Sequence, residues 1–321
     1  MASKIGIIGS GLIGQSWTMI FISKGYEVFL YDVVAEQIDI ALKCIEEKLK
    51  NLEKRKALRG ELSAQNQFKL IHKASSLKEC IENAIHVQEC VFEQLDLKIK
   101  LFKQLDEIYS SLDSKIETIF CSSTSCFLPS LLFNDLMNNS RMIVGHPVNP
   151  PYFAPLVEVV PSKWTDQKVV EQTRKIFDDV GQKPVILKKE KEGFVLNRIQ
   201  YAILNECYRL IEEEVISVAD IDSVMSNGLG LRYAFMGPWE TAHLNANGLG
   251  EYFDKYAKGI YDVSETFGPV PRMQGDTAQS IANEMIKQFP LDRLNERRQW
   301  RDERLIELAC LKRDSESHGK F

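Results

Sequence analysis

Lys4-Ile5-Gly6-Ile7-Ile8-Gly9-Ser10-Gly11-Leu12-Ile13-Gly14 reads as a short apolar strand running into a glycine turn, and residues 15–24 continue as an apolar helix. Each glycine answers a separate requirement of a dinucleotide-binding turn. Gly9 permits the tight turn, Gly11 lets the backbone approach a pyrophosphate, and Gly14 lets helix and strand pack closely. The helix N-terminus then offers free N–H groups and a partial positive charge to the phosphates. The glycine spacing alone is a weak signal, since such turns recur in unrelated α/β proteins and the same spacing occurs in kinase loops. Its neighbours carry the weight. A second strand, 27–31, ends in Asp32, and an acid about twenty residues past the turn takes the ribose hydroxyls. Val33 and Val34 follow where an Arg would pair a 2′-phosphate, so the expected cofactor is NAD rather than NADP.

The chain has 321 residues, 44% hydrophobic and 26% charged, which fits a soluble globular protein of two domains. A formal net charge of −5 argues against nucleic-acid or anionic-membrane binding. The 7 cysteines are scattered and form no C-x-x-C, so neither a disulfide frame nor a metal site is expected. The fingerprint begins so near Met1 that no cleavable leader is expected. With no apolar run of membrane-spanning length, a cytoplasmic location is the default expectation.

Downstream, helical and strand patterns alternate. Residues 34–59 carry Ile38, Leu42, Ile45 and Leu49 at helical spacing. The end of this run, Lys48, Lys50, Lys54, Arg55, Lys56 and Arg59, is either a solvated helix face or an anion-facing surface. Ser63 is placed to cap the next short helix. A helix at 76–83 leads to a strand at 85–91, whose exit carries Glu93, with Lys98 at the start of the helix 97–111. Both are reasonable neighbours of a nicotinamide ribose, and equally a plain helix-start acid and a surface lysine. Strands follow at 118–122, 142–145, 155–160 and 184–187, with a helix at 166–180. This predicts an α/β fold, a Rossmann-type doubly wound sheet over residues 1–190. The charged stretch 188–192 marks the boundary to an all-helical C-terminal domain, 191–321. Its first helix, 194–214, is apolar on nearly every side through its first half and is expected to be buried on several faces, as at a domain or subunit junction. Ser217 caps the next helix, and Gly228, Gly230, Gly237-Pro238, Gly248 and Gly268-Pro269 are read as breaks.

A dehydrogenase needs a base for the alcohol proton, and histidine titrates near working pH. Of the five histidines, His72 falls in a helical or loop region, His86 at a strand start, and His318 in a polar tail. His146 directly follows an apolar strand, with His146-Pro147-Val148-Asn149-Pro150-Pro151 making a rigid exit; it is the best base candidate. Glu158 is a lone acid in an apolar strand, costly to bury unless paired. If that strand folds back beside the preceding one, Glu158 reaches His146; if it is an edge strand, Glu158 points to water. Ser125, at another strand exit, and Asn197, in the junction helix, can each hydrogen-bond a substrate oxygen. Asn197 needs a partner in any case, and that partner need not be substrate. Arg232 is a candidate for a substrate carboxylate or a structural interdomain pair.

The ordered set G-S-G-L-I-G, Thr124-Ser125-Cys126, H-P-V-N-P-P, L-V-E-V-V and G-F-V-L-N-R resembles the 3-hydroxyacyl-CoA dehydrogenase superfamily over nearly the whole chain. The resemblance implies that His146 is the acid/base, that Glu158 orients and polarises it, and that Ser125 with Asn197 holds the substrate oxygen. Residues 199–206, 228–241, 243–246 and 297–303 are similar to the lambda-crystallin branch, the L-gulonate 3-dehydrogenases. That similarity implies cofactor contacts at Leu12, Ile13, Asp32, Glu93 and Lys98, and Phe92 stands where relatives commonly have proline. It also implies a homodimer and NAD-dependent oxidation of L-gulonate at its 3-hydroxyl. Short-chain acyl-CoA relatives usually carry an acid where this chain reads Ala242-His243-Leu244-Asn245, which favours a small polyol acid. The alternatives are a 3-hydroxyacyl-CoA or carnitine dehydrogenase, a crystallin-like structural protein that retains NAD binding, and an NAD(H)-binding redox sensor without turnover.

Overall fold

The computed structural model describes residues 3–113 and 116–317; His318 lies outside them. The chain forms two compact units, one up to Asn197 with Leu305–Cys310, the other from Arg198 to Arg304 and onward from Leu311.

In the first unit the elements run β1 (Lys4–Ile8), α1 (Leu12–Ser23), β2 (Glu27–Tyr31), α2 (Ala35–Lys54), α3 (Ala64–Phe68), β3 (Ile71–Lys73), α4 (Leu77–Ile81) and β4 (Ala84–Glu89). They continue with α5 (Leu95–Ser110), β5 (Ile119–Ser122), α6 (Pro129–Leu132), β6 (Met142–Pro147), β7 (Leu156–Pro161), α7 (Gln167–Asp179) and β8 (Lys183–Ile186). The eight strands make one sheet in the order β3-β2-β1-β4-β5-β6-β7-β8. Every pairing is parallel except β6 with β7.

Alternation along the strands builds a core on each face of the sheet. Ile5, Ile7, Val28, Leu30, Ile119 and Cys121 join Trp17, Phe21, Ile45 and Phe177 on one side. Ile8, Val87, Phe120, Met142 and Val144 join Phe102, Leu105 and Phe133 on the other. The chain winds outward in opposite senses from β1 and β4, so the crevice beyond their carboxyl ends is the ligand position of a doubly wound sheet.

Two sequence readings change here. His72 lies in strand β3 rather than in a helix or loop; the strand's three residues pair only with β2 and are too few to show a period. The helix read as reaching Arg59 ends at Lys54. Lys56 takes a left-handed φ of 57°, and the Ala57 N–H turns back to Leu52 O, a helix-ending motif that buries Ala57. Arg59 therefore lies beyond the helix and serves neither role proposed for the basic run. Its guanidinium donates to Gln182 Oε1, Val180 O and Gly181 O, each at 2.8 Å, tying this loop to the turn before β8. Ser63 caps α3, its hydroxyl accepting from Asn66 N.

Helix α8 (Leu196–Glu212) leads into the second unit, which is built from α9 (Val218–Val224), α10 (Gly230–Tyr233), α11 (Pro238–Leu244), α12 (Leu249–Ser264), α13 (Gly275–Gln288) and α14 (Leu294–Ser317), except that Leu305–Cys310 of α14 belong to the first unit. No strand occurs among its described residues. Ser217 caps α9, accepting from Asp220 N at 3.1 Å. Gly228 and Gly230 do not break the chain as read. Residues Met225–Leu229 form a π-helical turn that carries α9 directly into α10. A Cβ on Gly230 would sit 2.8 Å from Met225 O, so this glycine admits a close backbone approach inside the helix. The first helix of this unit is not buried by its own chain: Ile199, Tyr201 and Leu204 are 56%, 51% and 44% exposed.

Candidate active site

The antiparallel step from β6 to β7 brings His146 and Glu158 directly opposite each other in register. Side chains at opposed positions of an antiparallel pair lie within contact, and here His146 Nδ1 donates to Glu158 Oε2 at 2.8 Å. Of the two geometries left open for Glu158, the folded-back one is observed. Glu158 Oε1 accepts from Val195 N at 2.8 Å and Leu196 N at 2.9 Å, the start of α8. Burial alone would raise the Glu158 carboxyl, but the hydrogen bonds from His146, Leu196 and Val195 outweigh it and hold the group below its ordinary value. A carboxylate on Nδ1–H fixes the tautomer that leaves the Nε2 lone pair available. His146 Nε2 has no protein partner among the described residues. His86, by contrast, is fully buried and its pKa is pushed down to about 4 by burial.

At the glycine turn, Gly9 has φ 98° and its N–H bonds to Tyr31 O at 2.8 Å. A Cβ on Gly14 would lie 1.9 Å from Gly9 O, whereas one on Gly11 would meet nothing within 4 Å. Gly11 is the N-cap of α1, which has no side-chain cap and no acid in its first turn. The backbone N–H groups there stand beside open space, a cradle suited to a pyrophosphate. Asp32 is held beside the turn, Oδ2 accepting from Ser10 N at 2.8 Å and Ser10 Oγ at 2.7 Å, and Oδ1 from Val34 N at 3.1 Å. Ser10 occupies a variable position of the fingerprint, so the motif gives no signal for its role. Leu12 is 69% exposed, and Ile13 packs partly against the core. These features fit NAD.

Beyond β4, Glu93 Oε1 accepts from Thr124 Oγ1 at 2.6 Å, Ser125 N at 2.7 Å and Ser125 Oγ at 3.1 Å. Burial tends to raise its carboxyl, but the Thr124 hydrogen bond and the Lys98 charge prevail and keep it low. Lys98 is not a surface lysine. Its ammonium, 1% exposed, meets Glu89 Oε1 at 2.6 Å, Glu93 Oε2 at 3.2 Å and Val91 O at 3.3 Å. Burial pulls this ammonium down, and the two carboxylates more than offset it, leaving the pKa raised. Glu89, missed in the sequence as one of six residues of a buried strand, is fully buried. Asn197, 9% exposed, donates from Nδ2 to Ser125 O at 2.8 Å, so the partner its burial required is the backbone of the loop after β5. Ser125, Glu93, His146, Glu158 and Asn197 all belong to the first unit. Arg232 is in the second unit, on α10, exposed and without an ion-pair partner among the described residues.

Comparison with known proteins agrees with this architecture. Residues 4–191 match the 3-hydroxyacyl-CoA dehydrogenase NAD-binding domain, and residues 193–284 match the C-terminal domain of the same family. The chain is similar to the lambda-crystallin homolog of Mus musculus, 48% identical over 313 residues, covering 97% of each chain. It is 31% identical over 319 residues to L-carnitine dehydrogenase of Bacillus cereus, covering 96% of this chain and 92% of that one. Among solved structures, an NAD+-dependent 5-formyl-3-hydroxy-2-methylpyridine 4-carboxylic acid 5-dehydrogenase shares the fold, with a TM-score of 0.77 at 24% identity over 98% of this chain and 99% of the other. With both family domains in order and an NAD-binding turn at its head, the chain belongs to the 3-hydroxyacyl-CoA dehydrogenase family.

Proposed function

We propose that the protein oxidises the 3-hydroxyl of a small hydroxy acid, L-gulonate to 3-dehydro-L-gulonate, in an NAD-dependent reaction. The observation that carries the dehydrogenase reading is the buried His146–Glu158 pair with Nε2 left open. NAD, when bound, supplies the hydride acceptor. His146 Nε2 takes the hydroxyl proton, and the Glu158 carboxylate stabilises the imidazolium that forms. Asn197 keeps a second amide proton beyond the one given to Ser125 O, and the Ser125 hydroxyl, which donates to Glu93 Oε1 at 3.1 Å, turns from it to the substrate; both hold the substrate oxygen. Gly9, Gly11, Leu12, Ile13, Gly14, Asp32 and Glu93 line the cofactor side, and Lys98 acts there through Glu93. Arg232, exposed and unpaired among the described residues, pairs the substrate carboxylate.

The likeness of residues 228–241 to L-gulonate 3-dehydrogenases supports that substrate, while the L-carnitine dehydrogenase relative keeps carnitine as a second reading. We assign residues 1–190 to NAD binding and 191–321 to substrate binding and dimerisation, and we place the protein in the cytoplasm as a homodimer. No described helix is long and apolar enough to cross a membrane. The test is steady-state NADH production with L-gulonate, 3-hydroxybutyryl-CoA and L-carnitine. L-gulonate should give the highest kcat/KM, and His146→Ala should abolish turnover while NADH still binds. A higher value with either rival reassigns the substrate. Cofactor binding without turnover of any of them favours the sensor or structural reading.

A further inference from the structure

Glu89 closes β4 with a carboxylate that water does not reach, and three donors converge on it. Its Oε1 accepts from Val91 N at 2.7 Å and Lys98 Nζ at 2.6 Å; its Oε2 accepts from Ser122 Oγ at 2.5 Å. The three donors lie on three pieces of chain, the loop after β4, helix α5 and the end of β5. Val91 and Lys98 follow β4, whose exit presents Glu93, and Ser122 ends β5, whose exit loop presents Ser125. The Ser122 hydroxyl passes the restraint on by accepting from Thr124 N at 3.2 Å, and Glu89 O accepts from Ser123 N at 2.9 Å. On the other side Lys98 carries it to Glu93 at 3.2 Å.

We propose that Glu89 is a positioning residue for the dehydrogenase reaction. Its carboxylate ties the exit of β4 to the end of β5 and so buttresses the direct contact between Glu93, on the cofactor side, and Ser125, on the substrate side. The inference rests on the dehydrogenase reading above. The carboxylate fills a role that a buried ion pair serving stability alone does not require, because its second oxygen is spent on the substrate loop rather than on the ammonium. A glutamine in its place keeps the shape but removes the charge that offsets Lys98. With its NH2 toward Ser122 Oγ, which can accept, the Lys98–Glu93 restraint weakens; with its NH2 toward Val91 N and Lys98, both of those donors lose their acceptor.

The experiment compares Glu89→Gln with Asp106→Asn, a control at another buried carboxylate whose contacts, Met137 N and Asn138, lie away from the site. NADH affinity is measured by calorimetry, and KM and kcat with the best hydroxy acid, alongside thermal midpoints. Glu89→Gln is expected to weaken NADH binding about tenfold and to raise KM for the hydroxy acid, the loss of one charged hydrogen bond being of that order. Asp106→Asn should lower the midpoint without moving either constant. Glu89→Gln constants that match those of Asp106→Asn overturn the proposal and leave Glu89 a purely structural residue. If Glu89→Gln does not fold, Ser122→Ala carries the test, since it spares the Glu89–Lys98 pair. It should raise KM for the hydroxy acid while NADH affinity stays within about twofold, and unchanged kinetics overturn the proposal. Should the wild type turn over no hydroxy acid, the dehydrogenase reading fails on that result, and the NADH arm still decides whether Glu89 positions the cofactor loop.

Discussion

Gly11 and Gly14 are three residues apart and answer to different forces. Gly14 stands where any Cβ would overlap Gly9 O at 1.9 Å, so its constraint is packing between helix and turn. Gly11 has ordinary φ of −66° and free space beyond it, so nothing inside the protein forbids a side chain there. Gly14→Ala should therefore destabilise the fold by about 3 kcal/mol or more, seen as a lowered denaturation midpoint. Gly11→Ala should shift stability by less than about 1 kcal/mol, the range of an N-cap change. It should nevertheless weaken NADH binding by at least about tenfold in a calorimetric titration. Equal NADH affinity in Gly11→Ala and wild type would remove the pyrophosphate from this turn. The tight turn at Gly9 and the close packing at Gly14 were legible in the sequence because spacing along the turn is local. The role of Ser10 was not, since its hydroxyl meets Asp32 only after β1 and β2 have paired.

At the scale of elements, the reversal from β6 to β7 decides the chemistry. A register slip by one residue would turn Glu158 to the opposite face of the sheet and leave His146 without its carboxylate. Glu158 also accepts from the first N–H groups of α8, where the helix dipole favours a negative charge. Glu158→Gln presents an amide NH2 either to His146 Nδ1 or to those N–H groups. Turnover should fall by about a hundredfold or more, and stability at neutral pH by about 1–2 kcal/mol, through weaker capping of α8. NADH affinity should hold. The pH dependence follows from the depressed carboxyl. Its stabilising contribution is fully present above the unfolded carboxylate value and is lost as pH falls through the lower folded value. Acid unfolding measured from pH about 5 downward should be shallower in Glu158→Gln than in wild type; equal slopes would show that Glu158 is not held ionised by this pairing.

For the whole molecule, the surface of the second unit carries the message. Ile199, Tyr201 and Leu204 on α8, and Phe253, Tyr256 and Ile260 on α12, are between 44% and 56% exposed. In the homodimer proposed above, these large apolar groups are the ones a second copy would cover. Sedimentation equilibrium should give twice the 36.7 kDa chain mass. Leu204→Glu with Ile260→Glu should raise the dimer dissociation constant by at least about a hundredfold, since buried charges are unpaired across an apolar contact. A wild-type mass of one chain at micromolar concentration would refute the homodimer.

The sequence alone determined the alternation of strands and helices, the glycine turn with Asp32 and the strand exit that carries Ser125. Each of these is written in the periodicity and order of neighbouring residues, whereas His146, read as following its strand, lies inside β6. It did not determine the short edge strand holding His72, the end of α2 or the clamp made by Arg59, because three-residue strands and helix ends depend on what packs against them. Nor did it determine which partner each buried polar group would find. Glu158 meets His146 across 12 residues, Ser122 meets Glu89 across 33, and Asn197 meets Ser125 across 72. Those pairings exist only once the sheet order and its one antiparallel step are set. Desolvation then forces each buried charge or amide to the nearest complementary group, and the folded chain alone fixes which group that is.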